Sequence, residues 1–205
     1  MTVVGPDPKP RCFALARVIA CAALLAGCAA PKASIPAYVS PSSGPTARFL
    51  VRGSVPAGDR YGVFVLQKSE TCAGPLLVGT GDAQRHPDAS ALAANSVQTV
   101  EFRLVSADKK TCAIRWTFTP IAGKTYLLRG TGQQTSCGAL IMDMTDADHM
   151  KPEPTALRRN PGTSACLPIS QSKSIASRGG AGAADDDAVL RQGADAGDLE
   201  GLIGK

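Results

Sequence analysis

From residue 47 onward the chain alternates apolar and polar residues in short runs separated by turn residues. Phe49 and Val51 alternate with Arg48 and Arg52, and Val100, Phe102 and Leu104 with Glu101 and Arg103. Cys112, Ile114, Trp116 and Phe118 alternate with Ala113, Arg115, Thr117 and Thr119. A period of two marks a half-buried strand, whose side chains point to opposite faces in turn. Further strands are predicted from about Tyr61 to Gln67, from Pro75 to Thr80, at Tyr126 and Leu128, and from about Cys137 to Met144. Pro56-Ala57-Gly58-Asp59 and Pro120-Ile121-Ala122-Gly123 supply turns between them. About seven strands without an amphipathic helix among them predict an all-β fold, a single antiparallel immunoglobulin-like β-sandwich. Parallel pairing would need crossover helices, which the pattern lacks. The Ala-rich stretch from His86 to Asn95 reads as a loop excursion with at most a turn or two of helix.

On either side of this block the periodicity is lost. Residues 28–46 are rich in Pro, Ser and Ala and form a semi-extended tether. Residues 150–170 carry Pro152, Pro154, Pro161 and Pro168 and read as a strap over the domain, which spans 47–169. Residues 170–205 are a low-complexity, largely disordered tail with an acidic run at Asp185, Asp186 and Asp187. Within it, the two glycines between Asp195 and Ile203 disfavour a short helix. Composition agrees with this division. Of 205 residues 44% are hydrophobic but only 4% aromatic, and seven of the nine aromatics lie between Phe49 and Tyr126. The core is confined to the middle of the chain, which excludes a large multi-domain enzyme. The net charge of +5 is spread along the chain, without the concentrated basic arm of a nucleic-acid binder.

The N-terminus changes the picture. Lys9, Arg11 and Arg17 precede an apolar run from Val18 to Gly27. Ten residues fall short of the about 20 needed to span a bilayer, but they suit a secretory signal. The run ends in Leu25-Ala26-Gly27-Cys28, which resembles the lipobox of bacterial lipoproteins. The resemblance implies that residues 1–27 are removed and that Cys28 is acylated, palmitate included, and becomes the mature N-terminus. The lipid bilayer is then a partner, since two or more acyl chains anchor a protein stably. Ala29, in place of an Asp after the cysteine, implies sorting to the outer membrane, facing the periplasm.

Cys12 and Cys21 fall in the removed segment, which leaves Cys72, Cys112, Cys137 and Cys166. An even count in a small exported domain reads as two disulfides. If the turn from Pro120 to Gly123 closes a hairpin, Cys112 and Cys137 stand two strand spacings apart, about 10 Å, beyond the reach of a bridge. Cys72–Cys112 with Cys137–Cys166 is therefore favoured over Cys72–Cys137 with Cys112–Cys166, and Trp116 then packs over the Cys72–Cys112 bridge. No pair has the Cys-x-x-Cys spacing of a zinc or redox site.

Few residues point to chemistry. Gly123-Lys124-Thr125 lacks the upstream glycine of a phosphate loop, where Phe118 stands, and enters a strand, so a hairpin turn is expected. Gly130 and Gly132 have no βαβ setting for a dinucleotide. Asp143, Asp146, Asp148 and His149 lack the glycine turn and bidentate Glu of a calcium loop and read as a solvated acidic loop. His86 is a surface histidine with no nucleophile elbow nearby. No catalytic residue, metal site or cofactor is predicted. The most suggestive set is Arg48, Arg52, Arg103, Arg115 and Arg129, all at or beside outward strand positions. On adjoining strands they would form a basic patch for carboxylate or phosphate groups of peptidoglycan or lipopolysaccharide. On separate strands they are a solvated face that discourages edge pairing. The expected role is a non-catalytic binding or structural module of the envelope. Alternatives are recognition of an anionic glycan and service as an inhibitor or accessory subunit of a periplasmic enzyme or secretion machine.

Overall fold

Each alternating strand must bury its apolar side against another apolar surface, and the chain provides one by laying its strands in two facing sheets. The computed structural model describes residues 34–133, 136–161 and 165–174. The signal segment, Cys28 and the chain from residue 175 onward lie outside the described residues. In chain order the strands are β1 (Thr46–Ser54), β2 (Arg60–Lys68), β3 (Ala73–Gly81), β4 (Ser90–Ala93), β5 (Gln98–Val105) and β6 (Thr111–Phe118). They continue with β7 (Thr125–Gly132), β8 (Cys137–Asp143), β9 (Lys151–Pro152), β10 (Leu157–Arg158) and β11 (Lys173–Ser174). The first sheet runs β4-β1-β7-β8-β9 and the second β11-β10-β6-β5-β2-β3. The domain is an all-β sandwich, and each of the seven expected strands is present.

Three expectations need correction. The sandwich is not wholly antiparallel: β1 and β7 pair in parallel, with Arg48 beside Thr125 and Arg52 beside Arg129. The crossover that a parallel pair requires is made here by strands of the second sheet rather than by a helix. The stretch expected as a loop excursion contains β4, whose backbone pairs with β1 from Thr46 to Phe49. Leu92 of β4 is fully buried, so tertiary burial overrides the helical bias of the surrounding alanines. The third correction concerns the segment Pro120 to Gly123. It does not close a hairpin, for β6 lies in the second sheet and β7 in the first.

That crossing decides the disulfides. The bridges are Cys112–Cys137 and Cys72–Cys166, each with Cα atoms 6.0 Å apart, in place of Cys72–Cys112 and Cys137–Cys166. The two strand spacings that would separate Cys112 from Cys137 within one sheet do not exist, because the two residues face each other across the sandwich. Trp116 does share the inner cluster with Cys112 and Cys137, and its indole N–H donates to the Ala139 carbonyl at 2.8 Å. The ring therefore spans the same gap as the Cys112–Cys137 bridge.

The core between the sheets centres on stacked rings of Tyr61 and Phe102, 5.2 Å between centroids, and on Phe118 set edge-on to Tyr126. Room for the first pair comes from glycines: a Cβ at Gly53 or Gly81 would run into the Tyr61 ring, and one at Gly130 into Phe102. Both open sides of the sandwich are closed by crossing segments. On one side Pro36 to Ser40, part of the expected tether, lies across the gap. Tyr38 N–H donates to Leu77 O on β3 and its hydroxyl to Ala91 O on β4, both at 2.8 Å. On the other side the Pro-rich strap pairs with β8 through β9 and with β6 through β10.

Cys112 and Cys137 close a sequence separation of 25 and Cys72 and Cys166 one of 94, which on chain entropy stabilise by about 3.5 and about 4.7 kcal/mol. Peptide mapping without reduction is expected to recover these two linked pairs. Any fragment joining Cys72 to Cys112 would contradict the sheet assignment of β6 and β7.

Candidate functional site

The five arginines do not form one patch. Arg48 and Arg52 on β1 and Arg129 on β7 lie on the outer face of the first sheet, whereas Arg103 on β5 and Arg115 on β6 lie on the outer face of the second. The second group is engaged locally by one shared carboxylate. Glu101, only 1% exposed, accepts from Arg103 Nε at 2.7 Å and from Arg115 Nε at 2.5 Å. Arg103 also stacks 4.5 Å over the Phe64 ring. A carboxylate buried this deeply needs both cations, and so neither is available to a ligand.

The first group differs. Arg48, Arg52 and Arg129 form no salt bridge among the described residues. Among the described residues the Arg52 guanidinium donates to the Val51 carbonyl, at 2.8 Å. Arg52 and Arg129 are register neighbours, so two like charges stand about 4.8 Å apart at the backbone, an arrangement disfavoured without a counter-charge. Between the Arg48 row and the Arg52–Arg129 row lies an apolar row, Leu50 beside Leu127 beside Met142. These three form a second hydrophobic cluster outside the main core, with Leu140, Met144 and Met150 packed on it. Because β1, β7 and β8 are apolar on both faces, their sequences carry three apolar residues in succession: Phe49-Leu50-Val51, Tyr126-Leu127-Leu128 and Leu140-Ile141-Met142. That signal was available, but alternation selects only the inward members.

The acidic loop after β8 is organised internally. Asp143 binds Lys124 Nζ at 2.8 Å and accepts from both the backbone N–H and the hydroxyl of Thr145. Asp146 caps a short 3-10 turn and meets His149 Nδ1 at 2.9 Å. Together with Lys151 these side chains line a cleft of about 310 Å³. No group of three or more His, Cys, Asp or Glu side chains placed to share a metal ion occurs among the described residues. His86 is not isolated either: its Nδ1 lies 2.8 Å from the Tyr61 hydroxyl. Burial lowers the His86 pKa first, and the positive charge of Arg52 lowers it further.

The strap holds one residue that the sequence pattern does not reveal. Arg159 is fully buried and donates to the carbonyls of Leu167, Ser69 and Glu70 and to Thr117 Oγ1, at 2.6 to 2.9 Å. Thr117 in turn shares a 2.7 Å hydrogen bond with Thr99. Cys166 stands next to Leu167, so Arg159 and the Cys72–Cys166 bridge fasten the same end of the strap to the turn after β2. Comparison with family models, with curated proteins and with solved structures finds no match. The role of these residues is therefore argued from their own geometry.

Arg159→Met is expected to destabilise the domain by about 3 kcal/mol or more, because it leaves several buried carbonyls without donors. Arg159→Lys should recover only part of this loss, since one ammonium cannot fill a planar array of acceptors. Urea denaturation measures both. For Asp143, burial raises the pKa, but hydrogen bonds from Lys124 and Thr145 outweigh it and hold the carboxyl at about 2. Its folded value lies below its unfolded one, so its contribution is complete above about pH 4 and disappears as the pH falls through about 2. Asp143→Asn should cost about 1 kcal/mol at neutral pH after solvent screening of Lys124, and the difference from the parent should vanish in acid.

Proposed function

We propose that the chain is an envelope lipoprotein, anchored to the outer membrane through acylated Cys28 and facing the periplasm. There it acts as a non-catalytic binding or structural module. The observation that carries this reading is the junction Leu25-Ala26-Gly27-Cys28 together with the fate of the cysteines beyond it. All four are joined in two bridges, as suits an oxidising compartment. A further support is the use made of the buried polar groups. Glu101, Asp143 and Arg159 are each satisfied by partners that hold strands, loop and strap in place, which suits a rigid scaffold.

The binding role falls to the first sheet. Its outer face retains Arg48, Arg52 and Arg129 without carboxylate partners among the described residues, whereas Glu101 holds the arginines of the second sheet. A negatively charged partner is thus accommodated by three of the five arginines rather than by all of them.

Metabolic labelling with palmitate, followed by membrane fractionation, tests the anchor. The parent chain is expected to carry label and to sediment with outer membrane. Cys28→Ser should lose the label and the outer-membrane association. Labelling that persists in Cys28→Ser would refute the anchor assignment.

A further inference from the structure

We infer that the outer face of the first sheet rests on the phosphate-bearing headgroups of the membrane that holds the anchor, so that the domain lies against the bilayer. This rests on the lipoprotein reading above and names the partner of its basic face. The first support is charge. None of the outward positions on β4, β1, β7 and β8 is Asp or Glu, while Arg48, Arg52 and Arg129 occupy three of them. Arginines that find no carboxylate among the described residues, two of them at register-paired positions, complement a surface of anionic headgroups.

The second support is the apolar row between the arginines. Antiparallel sheets commonly place polar residues on their solvent face, yet the outward Leu50, Leu127 and Met142 are apolar here and themselves only 4 to 9% exposed, so the apolar surface is made by the partly exposed Leu140, Met144 and Met150 packed on them. Unbranched, flexible methionines adapt to an irregular apolar surface. Arginine stems can lie along such a row with their charged ends free to reach phosphates. The face thus sets three arginines beside the exposed parts of Leu140, Met144 and Met150, the amphipathic composition that an interface between headgroups and acyl chains requires.

The third support is reach. The chain is already docked on β3 at Pro36, eight residues after Cys28, and eight extended residues span at most about 28 Å. A tether this short keeps the domain within contact of the leaflet that holds the acyl chains, where even weak surface attraction is effective because the second contact is intramolecular.

The test uses the full chain carrying Cys28→Ser, which cannot be acylated, so its result is independent of whether the anchor assignment holds. Binding is measured by sedimentation with vesicles of phosphatidylcholine alone and of phosphatidylcholine mixed with phosphatidylglycerol. The ratio of the two affinities is the readout, because apolar contributions from the N-terminal segment enter both. At about fivefold per arginine near the surface, the three arginines give an expected anionic preference of about 100-fold, falling with salt. Arg52→Gln with Arg129→Gln should lower the ratio by more than about tenfold, leaving only the share of Arg48 and the N-terminal basic residues, and Arg52→Lys with Arg129→Lys should preserve it. Arg60→Gln, exposed on β2 of the opposite sheet, should leave it unchanged. Retention of both disulfide-linked peptides confirms that each variant is folded.

A ratio unaffected by the double Gln variant would overturn the proposal, as would an equal loss from Arg60→Gln, which would indicate net charge alone. Loss in the double Lys variant would point to a discrete bidentate oxyanion site and would also overturn it. So would retention on isolated peptidoglycan that depends on Arg52 and Arg129 in the absence of any vesicle preference.

Discussion

A guanidinium taken completely out of water must meet acceptors on every side, and that requirement at Arg159 ties the domain together. Its donors reach the turn after β2, the end of β6 and the far part of the strap. None of these segments is near another in sequence except the strap itself; the contact with Ser69 spans ninety positions. Burial lowers the tendency of Arg159 to hold its proton, but an arginine remains charged at any ordinary pH. The carbonyls must therefore stay where they are, and with them the two ends of the second sheet. The Cys72–Cys166 bridge fixes the same junction covalently, and Asn160 extends it by bonding the backbone of β6 on both sides of Ile114, at Arg115 N–H and Ala113 O.

The two sheets solve the problem of their outer faces in opposite ways. In the second, a buried carboxylate draws two arginines down over itself, and one of them covers an aromatic ring. Charge there is consumed in local structure. In the first, the outward row is apolar and the flanking cations are left unneutralised among the described residues. Arginines that look equivalent along the chain therefore differ in what they offer, because the difference lies in one neighbour, Glu101, on the adjoining register position of β6's partner strand.

How much of this was legible follows from the range of each interaction. Strands such as β5 and β6 were plain because half-burial writes a period of two into a few consecutive residues. β4 was not, because Ser90, Ala91 and Ala93 carry no strand preference and only Leu92 enters the core. The turn between β6 and β7 reads identically whether it folds back in one sheet or passes to the other, and the disulfide pairing was misjudged with it. Arg159, set among prolines, resembles any surface cation until residues from distant segments surround it. Of the arginine face, the outward positions were legible and the division between sheets was not. The apolar row beside three of them left a trace in the triple runs of β1, β7 and β8, which alternation alone passes over.

The segment Pro36 to Ser40 has a mechanical consequence. It is bonded to β3 of one sheet through Leu77 and to β4 of the other through Ala91. Tension on the N-terminal end of the chain is therefore shared between the two sheets, and the bonds of this short zipper must part before the pull reaches β1. The zipper acts as a sacrificial link: a brief pull is absorbed by the loss and re-formation of a few hydrogen bonds before the bridges and packed rings behind it are disrupted.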